Sequence, residues 1–342
     1  MRRPPFNDRK DSMPANSRIV VIGTSAGGPD ALRRLLKRLP ADFPAPVLVV
    51  MHVGSRYSIM PRILERDANL PVRHAVDAEP IKPGVVLMAP PDRHLLVEDG
   101  IVRVTRGPKE NFSRPAIDPL FRSAALYYRE NAIGVILTGL LDDGTIGLQA
   151  IKAYGGLALV QDPLDADEPA MPRSAINHVQ VDACLPVEEL ADCLVQLAGS
   201  ASEQVPIAAY MHPIEVQGRF DLRQKTEMNA LSEIAVASGL TCPECHGSLW
   251  EIKGSNPPNF RCHTGHVYTA QGLNTAQDAV VEEAIWAAVR ALHEKQMLLH
   301  RLAASAEAAN QTAVFDEHLA TAENVARHAE TLRRIISRGS DT

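Results

Sequence analysis

The sequence has few aromatic residues, few cysteines and no long hydrophobic run. Aromatic side chains make up 4% of the 342 residues, and five residues are cysteine. No apolar stretch approaches the roughly 20 residues that a membrane-spanning helix needs, so we expect no membrane insertion. The charged N-terminus is not followed by the apolar stretch of a secretory signal. We therefore expect a cytoplasmic protein whose thiols are free or bound to metal rather than paired.

The sequence also lacks an excess of positive charge. Lys and Arg number 35 against 41 Asp and Glu, which gives a formal net charge of −6. A general nucleic-acid binder has a basic surface instead, so we expect no nucleic-acid partner. Hydrophobic residues make up 45% of the chain, which is ample for a folded core. The length suggests two domains.

The first half of the chain predicts an α/β fold. Residues 1–17 are polar and are expected to form a disordered tail. Between 18 and 198, strands that are apolar throughout alternate with amphipathic helices, which predicts a doubly wound, mostly parallel sheet. Within it, His94–Glu98 and Ile101–Thr105 flank Asp99-Gly100, a pattern typical of a β-hairpin.

The second half predicts three smaller regions. Residues 199–239 show no clear periodicity and are interpreted as a linker, followed by a small cysteine-containing module at 240–270. Two apolar stripes then predict a helical hairpin at 276–338. The stripes comprise Val281, Ile285, Ala288, Leu292, Leu299 and Leu302, then Leu319, Ala322, Ala326, Ala329, Leu332 and Ile336. These stripes can be buried against each other, against a protein partner or against a second copy of the chain. An apolar stripe does not distinguish these alternatives, so they all stay open.

A candidate nucleophile lies at the end of the first predicted strand. Gly23-Thr24-Ser25-Ala26-Gly27 has the form G-x-S-x-G between a strand and a helix. A sharp turn in this context holds the serine hydroxyl clear of its neighbours and beside amides at a helix N-terminus. A glycine-rich strand–helix loop also suits a phosphate, so a nucleotide site stays open at this point.

A nucleophilic serine needs a base and an orienting acid. His52 ends the second predicted strand, and Asp142-Asp143 follows a later one. Because the carboxyl ends of parallel strands meet at one edge of a sheet, these side chains can converge with Ser25. The other histidines in this region that compete for the role are His74, His94 and His178.

Six segments in order and spacing resemble the catalytic domain of the chemotaxis protein-glutamate methylesterases (CheB type), over about 18–196. They are IGTSAGG (22–28), VMH (50–52), APPDRH (89–94), SRPAID (113–118), LTGLLDDG (137–144) and MPRSAI (171–176). The resemblance implies hydrolysis of glutamyl methyl esters on chemoreceptors, with deamidation of receptor glutamines as a second activity. It implies no cofactor for catalysis.

The resemblance also implies roles for individual residues. Ser25 matches the nucleophile, His52 the general base, and Asp143, rather than Asp142, the acid of the triad. Backbone amides of Ala26 and Leu140 are expected at the oxyanion site.

Three further charged residues belong to the matched segments. Arg93 and Arg114 are expected to face an acidic substrate helix. Asp118 is expected to cap a helix or to pair with Arg114 rather than to catalyse.

The sequence departs from the family pattern in two places. Leu141 stands where glycine is usual, which keeps open a catalytically decayed regulatory adaptor. About 17 residues precede the first predicted strand, so we expect no N-terminal phospho-receiver domain and no control by it in cis.

The cysteine module has the spacing of a zinc ribbon. Cys242 and Cys245 form a C-x-x-C pair, and Cys262 and His266 form C-x-x-x-H. Four such ligands fill a tetrahedral zinc site, and a closed set of four makes the metal structural. The substitutes considered for a ligand position are His263 and His246.

Overall fold

The computed structural model describes residues 18–54, 58–200 and 212–339. The predicted disordered tail at 1–17 lies outside the described residues. The first nine strands are β1 (Ile19–Thr24), β2 (Val47–Met51), β3 (Val72–His74), β4 (Val86–Met88), β5 (His94–Glu98), β6 (Ile101–Thr105), β7 (Ala132–Ile136), β8 (Leu157–Gln161) and β9 (Ala183–Leu185). Seven of them form one parallel sheet in the order β3-β4-β2-β1-β7-β8-β9, while β5 and β6 pair as the predicted hairpin.

Helices cover both faces of this sheet, which confirms the predicted α/β architecture. One face carries α1 (Gly28–Arg38), α2 (Met60–Glu65) and α6 (Val187–Ala198). The other carries α3 (Ile117–Tyr128), α4 (Thr145–Ala153) and α5 (Ala170–His178). The strands are buried on both sides because their residues are apolar throughout, as a doubly covered parallel sheet requires.

The topology reverses direction at β1. Strand β2 lies on one side of β1 and β7 on the other, so the chain moves outward to opposite edges of the sheet. In open α/β sheets, ligands bind in the crevice outside the carboxyl ends of the strands at such a reversal. Ser25 therefore lies at the position where the fold favours a site.

The segment interpreted as a linker contains two helices within its described part. They are α7 (His212–Arg223) and α8 (Met228–Ile234). Helix α7 lies against α3, where a side chain at Gly218 would overlap Leu126. The buried residues of α7, among them Ile214 and Phe220, contact two different clusters. Their spacing therefore does not form the single stripe from which a helix is predicted.

The cysteine-containing module is a four-stranded antiparallel sheet, here called the ribbon. It consists of β10 (Ala235–Thr241), β11 (Ser248–Ile252), β12 (Asn259–Cys262) and β13 (Val267–Thr269). Its core is small and includes Leu249, Phe260 and Tyr268 together with two cysteines. The sheet begins at Ala235, before the predicted start at 240.

Two long helices, α9 (Ala270–Ala308) and α10 (Thr312–Gly339), confirm the predicted C-terminal helical hairpin. The described residues from 274 onwards form a compact unit of their own. From residue 285 onwards, buried and half-buried positions of α9 recur at 285, 289, 292, 296, 299, 303 and 306, a seven-residue repeat that tolerates a polar side chain at 296. Val281, Ala288 and Leu302 of the predicted stripe are exposed instead, because the repeat runs through Val289 and Ala303.

Among the described helices, we find none with a stretch of sufficient length and hydropathy to cross a bilayer.

Candidate active site

Three polar side chains meet at the carboxyl edge of the parallel sheet. Ser25 follows β1, His52 follows β2, and Asp143 follows β7, which are neighbouring strands. The His52 amide donates to the Thr24 carbonyl at 3.1 Å, which continues the pairing of β1 and β2 past the strand ends. The sheet itself therefore brings together residues that are far apart along the chain.

The imidazole of His52 bridges the other two side chains. Its Nδ1 lies 3.1 Å from Ser25 Oγ, and its Nε2 lies 2.7 Å from Asp143 Oδ2. With the proton on Nε2, the ring donates to the carboxylate and accepts from the serine hydroxyl. The two ring nitrogens are exchanged relative to the familiar Ser-His-Asp proteases, in which Nε2 faces the serine.

Asp143 is 3% exposed and accepts several hydrogen bonds. Besides His52, the donors are the Ile117 amide at 2.7 Å, Asn111 Nδ2 at 3.1 Å and the Asp118 amide at 3.4 Å. Burial alone favours the neutral carboxyl, but these donors outweigh it and lower the pKa of Asp143. The residue is thus an ionised carboxylate at neutral pH, suited to hold and stabilise a charged imidazole.

The loop after β7 packs closely against the turn that carries Ser25. The Ser25 amide donates to the Thr138 carbonyl at 3.0 Å, and Thr24 Oγ1 donates to the same carbonyl at 2.8 Å. A Cβ at Gly139 would lie 2.9 Å from the Ser25 Cβ and would overlap Met171. Gly139 is required for this approach, because any side chain would displace the serine.

The two amides expected at the oxyanion site are free to donate. Within the described residues, neither the Ala26 nor the Leu140 amide donates a hydrogen bond. Leu141, which replaces the usual glycine, has a φ of 60°. This left-handed conformation explains why glycine suits the position and costs a leucine about 1–2 kcal/mol.

Asp142 and Asp118 have structural contacts rather than contact with His52. Asp142 Oδ1 accepts from Thr269 Oγ1 at 2.8 Å. Asp118 Oδ1 accepts from the Gly147 amide at 2.6 Å, in the first turn of α4, so it caps that helix. Its expected alternative partner, Arg114, binds elsewhere. Burial, together with the negative charge of Asp143, raises the pKa of Asp118.

The two arginines expected to face substrate are engaged within the lobe. Arg114 donates through Nε to Asp92 Oδ1 and through Nη1 to the Gly107 carbonyl, both at 2.8 Å. Arg93 Nη1 donates to the Asp92 carbonyl at 3.0 Å, and its side chain is 40% exposed. These bonds explain the orientation of both arginine side chains without a bound substrate. The substrate-binding role of Arg93 and Arg114 stays a prediction.

The competing histidines are held by backbone groups. His94 lies between the Pro108 carbonyl and the Ala116 amide. His74 and His178 contact carbonyls of Ser58 and Ser174. Among the described residues, the histidine in contact with Ser25 is His52.

The four expected metal ligands cluster in the ribbon. The ligand atoms of Cys242, Cys245, Cys262 and His266 all lie within 4.8 Å of one another. Sγ of Cys245 and Sγ of Cys262 are 3.6 Å apart, and His266 Nδ1 is 3.6 Å from Cys262 Sγ. Zinc–sulfur bonds of about 2.3 Å in a tetrahedron place ligand atoms at roughly this separation. The substitutes His263 and His246 are outside the cluster.

The cluster favours a thiolate at Cys262. Burial raises the pKa of the thiol, but hydrogen bonds with His266, Thr264 and Cys245 outweigh it and lower the pKa to about 5. The thiolate is the form that binds a metal ion.

Two residues beside the site were not found by sequence reasoning. Asn111 donates to Asp143, and Thr269 of β13 donates to Asp142. Asn111 is close to the 113–118 segment, which is a weak signal. Nothing in the sequence around Thr269 indicates that it reaches the loop after β7, because that contact depends on how the ribbon packs.

Comparisons with known proteins concern the first half of the chain. Residues 20–194 match the family model for CheB methylesterase. A Leptospira interrogans protein with the provisional name protein-glutamate methylesterase/protein-glutamine glutaminase is 45% identical over 191 residues, 55% of this chain and 99% of that protein. Protein-glutamate methylesterase/protein-glutamine glutaminase 2 of Anaeromyxobacter dehalogenans is 40% identical over 56% of this chain and 58% of that protein. The crystal structure of the Thermotoga maritima CheB methylesterase catalytic domain matches with a TM-score of 0.52 and 37% identity, over 54% of this chain and 100% of that chain.

Proposed function

Because this chain belongs to the CheB methylesterase family, we propose that it hydrolyses glutamyl methyl esters on a chemoreceptor-type protein. Ser25 is the nucleophile, His52 the general base and Asp143 the orienting acid. The observation that carries this proposal is the continuous hydrogen-bonded path from Ser25 Oγ through the His52 ring to Asp143 Oδ2, with distances of 3.1 and 2.7 Å.

The first half-reaction forms a glutamyl-enzyme. His52 Nδ1 takes the Ser25 proton while Oγ attacks the ester carbonyl carbon. The amides of Ala26 and Leu140 stabilise the negative oxygen of the tetrahedral intermediate. His52 then returns the proton to the leaving oxygen, and methanol departs. Asp143 stabilises the imidazolium in between.

The second half-reaction releases the glutamate side chain. His52 takes a proton from water, whose oxygen attacks the acyl carbon, and Ser25 recovers its proton as the ester bond breaks. A glutamine side chain enters the same cycle with ammonia in place of methanol. Deamidation is therefore the second activity of the same site.

We also propose that Cys242, Cys245, Cys262 and His266 hold one zinc ion. The separation of their ligand atoms and the C-x-x-C and C-x-x-x-H spacing support this set. Four protein ligands complete a tetrahedron and leave no position for a substrate, so the ion is structural. It cross-links strands whose own apolar core is small.

The test of catalysis measures methanol released from a receptor that carries glutamyl methyl esters. We expect release by the wild type and a loss of at least about 10³-fold in Ser25→Ala. Absence of activity in both proteins would support the regulatory adaptor instead. A rise in melting temperature with nucleotides, without methanol release, would support the glycine-rich loop as a nucleotide site.

The partner of the C-terminal helices stays a prediction. Pull-down with the full chain, followed by the same experiment with Ile335→Glu on the exposed face of α10, tests whether that face binds another protein.

A further inference from the structure

The last strand of the ribbon lies against a turn beside the proposed catalytic acid. In the turn at 110–113, the Ser113 amide donates to the Glu110 carbonyl at 2.8 Å. The two central residues, Asn111 and Phe112, have φ values of 46° and 62°. Asparagine tolerates this left-handed conformation, whereas phenylalanine does so at a cost of about 1–2 kcal/mol. A turn of this kind persists only where its surroundings hold it.

Each residue of β13 contacts this turn or the loop after β7. The Val267 carbonyl accepts from the Asn111 amide at 2.8 Å. The Tyr268 ring packs on Phe112, with centroids 5.1 Å apart. The Thr269 amide donates to Asn111 Oδ1 at 2.9 Å. The ribbon thus fixes both the backbone of the turn and the orientation of the Asn111 amide.

That orientation places Asn111 Nδ2 between two buried carboxylates, Asp118 at 3.3 Å and the proposed catalytic acid Asp143. The amide nitrogen lies 3.1 Å from Asp143 Oδ1, while the other oxygen, Oδ2, receives His52. Because Oδ1 of Asn111 accepts from Thr269, the side chain cannot turn over without losing both bonds. Asn111 is 5% exposed, so water does not replace this donor.

A second contact reaches the same loop directly. Thr269 Oγ1 donates to Asp142 Oδ1 at 2.8 Å, and the hydroxyl oxygen accepts from the Gly272 amide at 3.1 Å. Thr269 is fully buried. Asp142 adjoins Asp143 and is two residues from the Leu140 amide that we assign to the oxyanion site. The hydroxyl therefore fixes the loop that carries both groups.

A buried ionic cluster anchors the ribbon at this place. Arg261 of β12 donates to Glu110 at 3.1 Å and to Asp221 of α7 at 2.7 Å. Arg122 of α3 donates to the same two carboxylates at 2.8 and 2.7 Å. All four side chains are at most 5% exposed. Glu110 is the first residue of the turn, so the anchor and the turn are continuous.

We propose that Asn111 and Thr269 are positioning residues for the Ser25–His52–Asp143 site. The ribbon, which supplies Thr269 and holds Asn111, is in this way required for full esterase activity. The inference rests on the proposed function. Neither residue touches substrate; Asn111 holds the Asp143 carboxylate against His52, and Thr269 holds Asn111 and Asp142. Hydrogen bonds that orient metal-bound histidines are typically worth 10–100-fold in affinity or activity, and we expect the same order for the partner of a catalytic histidine.

The test uses the full chain with two pairs of variants. Asn111→Asp keeps the acceptor for Thr269 and the tolerance for a left-handed φ, but it removes the donor to Asp143. We expect kcat to fall about 10–100-fold with little change in KM. The acid limb of the kcat/KM profile should move to higher pH, because the added carboxylate faces both Asp143 and Asp118, and the extra negative charge favours proton uptake by the His52–Asp143 pair.

Thr269→Val removes only the hydroxyl, and we expect a fall in kcat of about 10-fold. Thr269→Ser, which restores the hydroxyl, should recover kcat to within about twofold. The matched control is Thr105→Val, since the buried Thr105 hydroxyl has no hydrogen-bond partner among the described residues; kcat should be unchanged. Thermal unfolding of each variant shows whether it is folded.

A second readout separates this inference from the proposed function. The rate at which a fluorophosphonate labels Ser25 reports the activated nucleophile without a receptor substrate. Slower labelling in Asn111→Asp and Thr269→Val supports the inference. Wild-type rates and pH profiles in both folded variants would overturn the inference alone. A wild type that neither hydrolyses methyl esters nor is labelled would overturn the proposed function as well.

Discussion

The parallel-sheet lobe and the ribbon are stabilised in different ways. The lobe buries two large apolar clusters, one on each face of a seven-stranded sheet. The ribbon has one small apolar cluster and four clustered Cys and His side chains, and its Arg261 joins a buried ionic cluster with Glu110, Arg122 and Asp221. Apolar burial is spread over many residues, whereas metal ligands and buried ion pairs concentrate stability in a few. Single substitutions should therefore damage the ribbon far more than the lobe.

The largest difference should come from breaking the proposed zinc site. Cys242→Ser breaks the ligand set, and we expect the bound zinc to fall from about one per chain to none. Amides of β10 to β13 should then exchange with deuterium at least about 100-fold faster, while those of β1, β2 and β7 stay protected. The matched control is Cys193→Ser, whose half-buried thiol lies in α6 outside the cluster. Equal exchange in both variants would contradict a structural metal.

A smaller effect should follow from loss of one buried charge. Arg261→Met leaves Glu110 and Asp221 with one cation instead of two, and such a loss typically costs 3–5 kcal/mol. Arg34→Met is the comparison in the lobe, where Arg34 pairs with Asp165 and Glu188 at 2.7 Å but is 27% exposed. We expect at most about 1 kcal/mol there. Denaturant unfolding with a probe in each region measures both, and similar losses would refute the contrast.

The pH response of Asp143 tests the place where the two regions meet. Its lowered pKa means that the folded state releases the proton more easily than the unfolded chain. This carboxylate therefore stabilises the fold above its ordinary pKa near 3.8, and the stabilisation is lost as the pH falls below it. The melting temperature of the wild type should exceed that of Asp143→Asn at pH 6, and the gap should shrink towards pH 3. A gap that does not change with pH would mean that the pKa of Asp143 is not lowered.

The smallest effect concerns backbone conformation within the lobe. Leu141→Gly removes the strain of a leucine at a φ of 60°, offset by the greater freedom of glycine in the unfolded chain. We expect a net stabilisation of up to about 1 kcal/mol. The neighbouring exposed Leu140→Gly should instead destabilise by roughly 0.5–1 kcal/mol. Calorimetry of the two variants measures both changes in stability. A loss of stability in Leu141→Gly as large as that in Leu140→Gly would mean that Leu141 is not strained.

The contrast between the parallel-sheet lobe and the ribbon also explains how much of the structure the sequence could predict. Strands β1, β2 and β7 and hairpin β5–β6 are visible as apolar runs and as an Asp-Gly turn, because their pattern is local. The Ser25, His52 and Asp143 positions follow from strand ends and from the family resemblance. The predicted stripe in α9 is wrong by one residue at Ala288, because the buried residue is Val289. Both side chains are apolar, and only packing selects between them.

The contacts around the ribbon could not be predicted. Glu110, Arg122, Asp221 and Arg261 are distant in sequence, and each alone is typical of a solvated surface residue. The helix α7 contacts two clusters, so its apolar positions form no single stripe. Asn111 and Thr269 have their roles only because β13 packs on the turn at 110–113.

The most direct test of the account is the site and stoichiometry of covalent labelling. After incubation with a fluorophosphonate, peptide mass spectrometry should show one adduct per chain, on Ser25, and none in His52→Ala, because the hydroxyl needs the imidazole to become a nucleophile. An unlabelled wild type, or labelling of Ser25 that proceeds equally without His52, would contradict the central claim that these side chains form a catalytic unit.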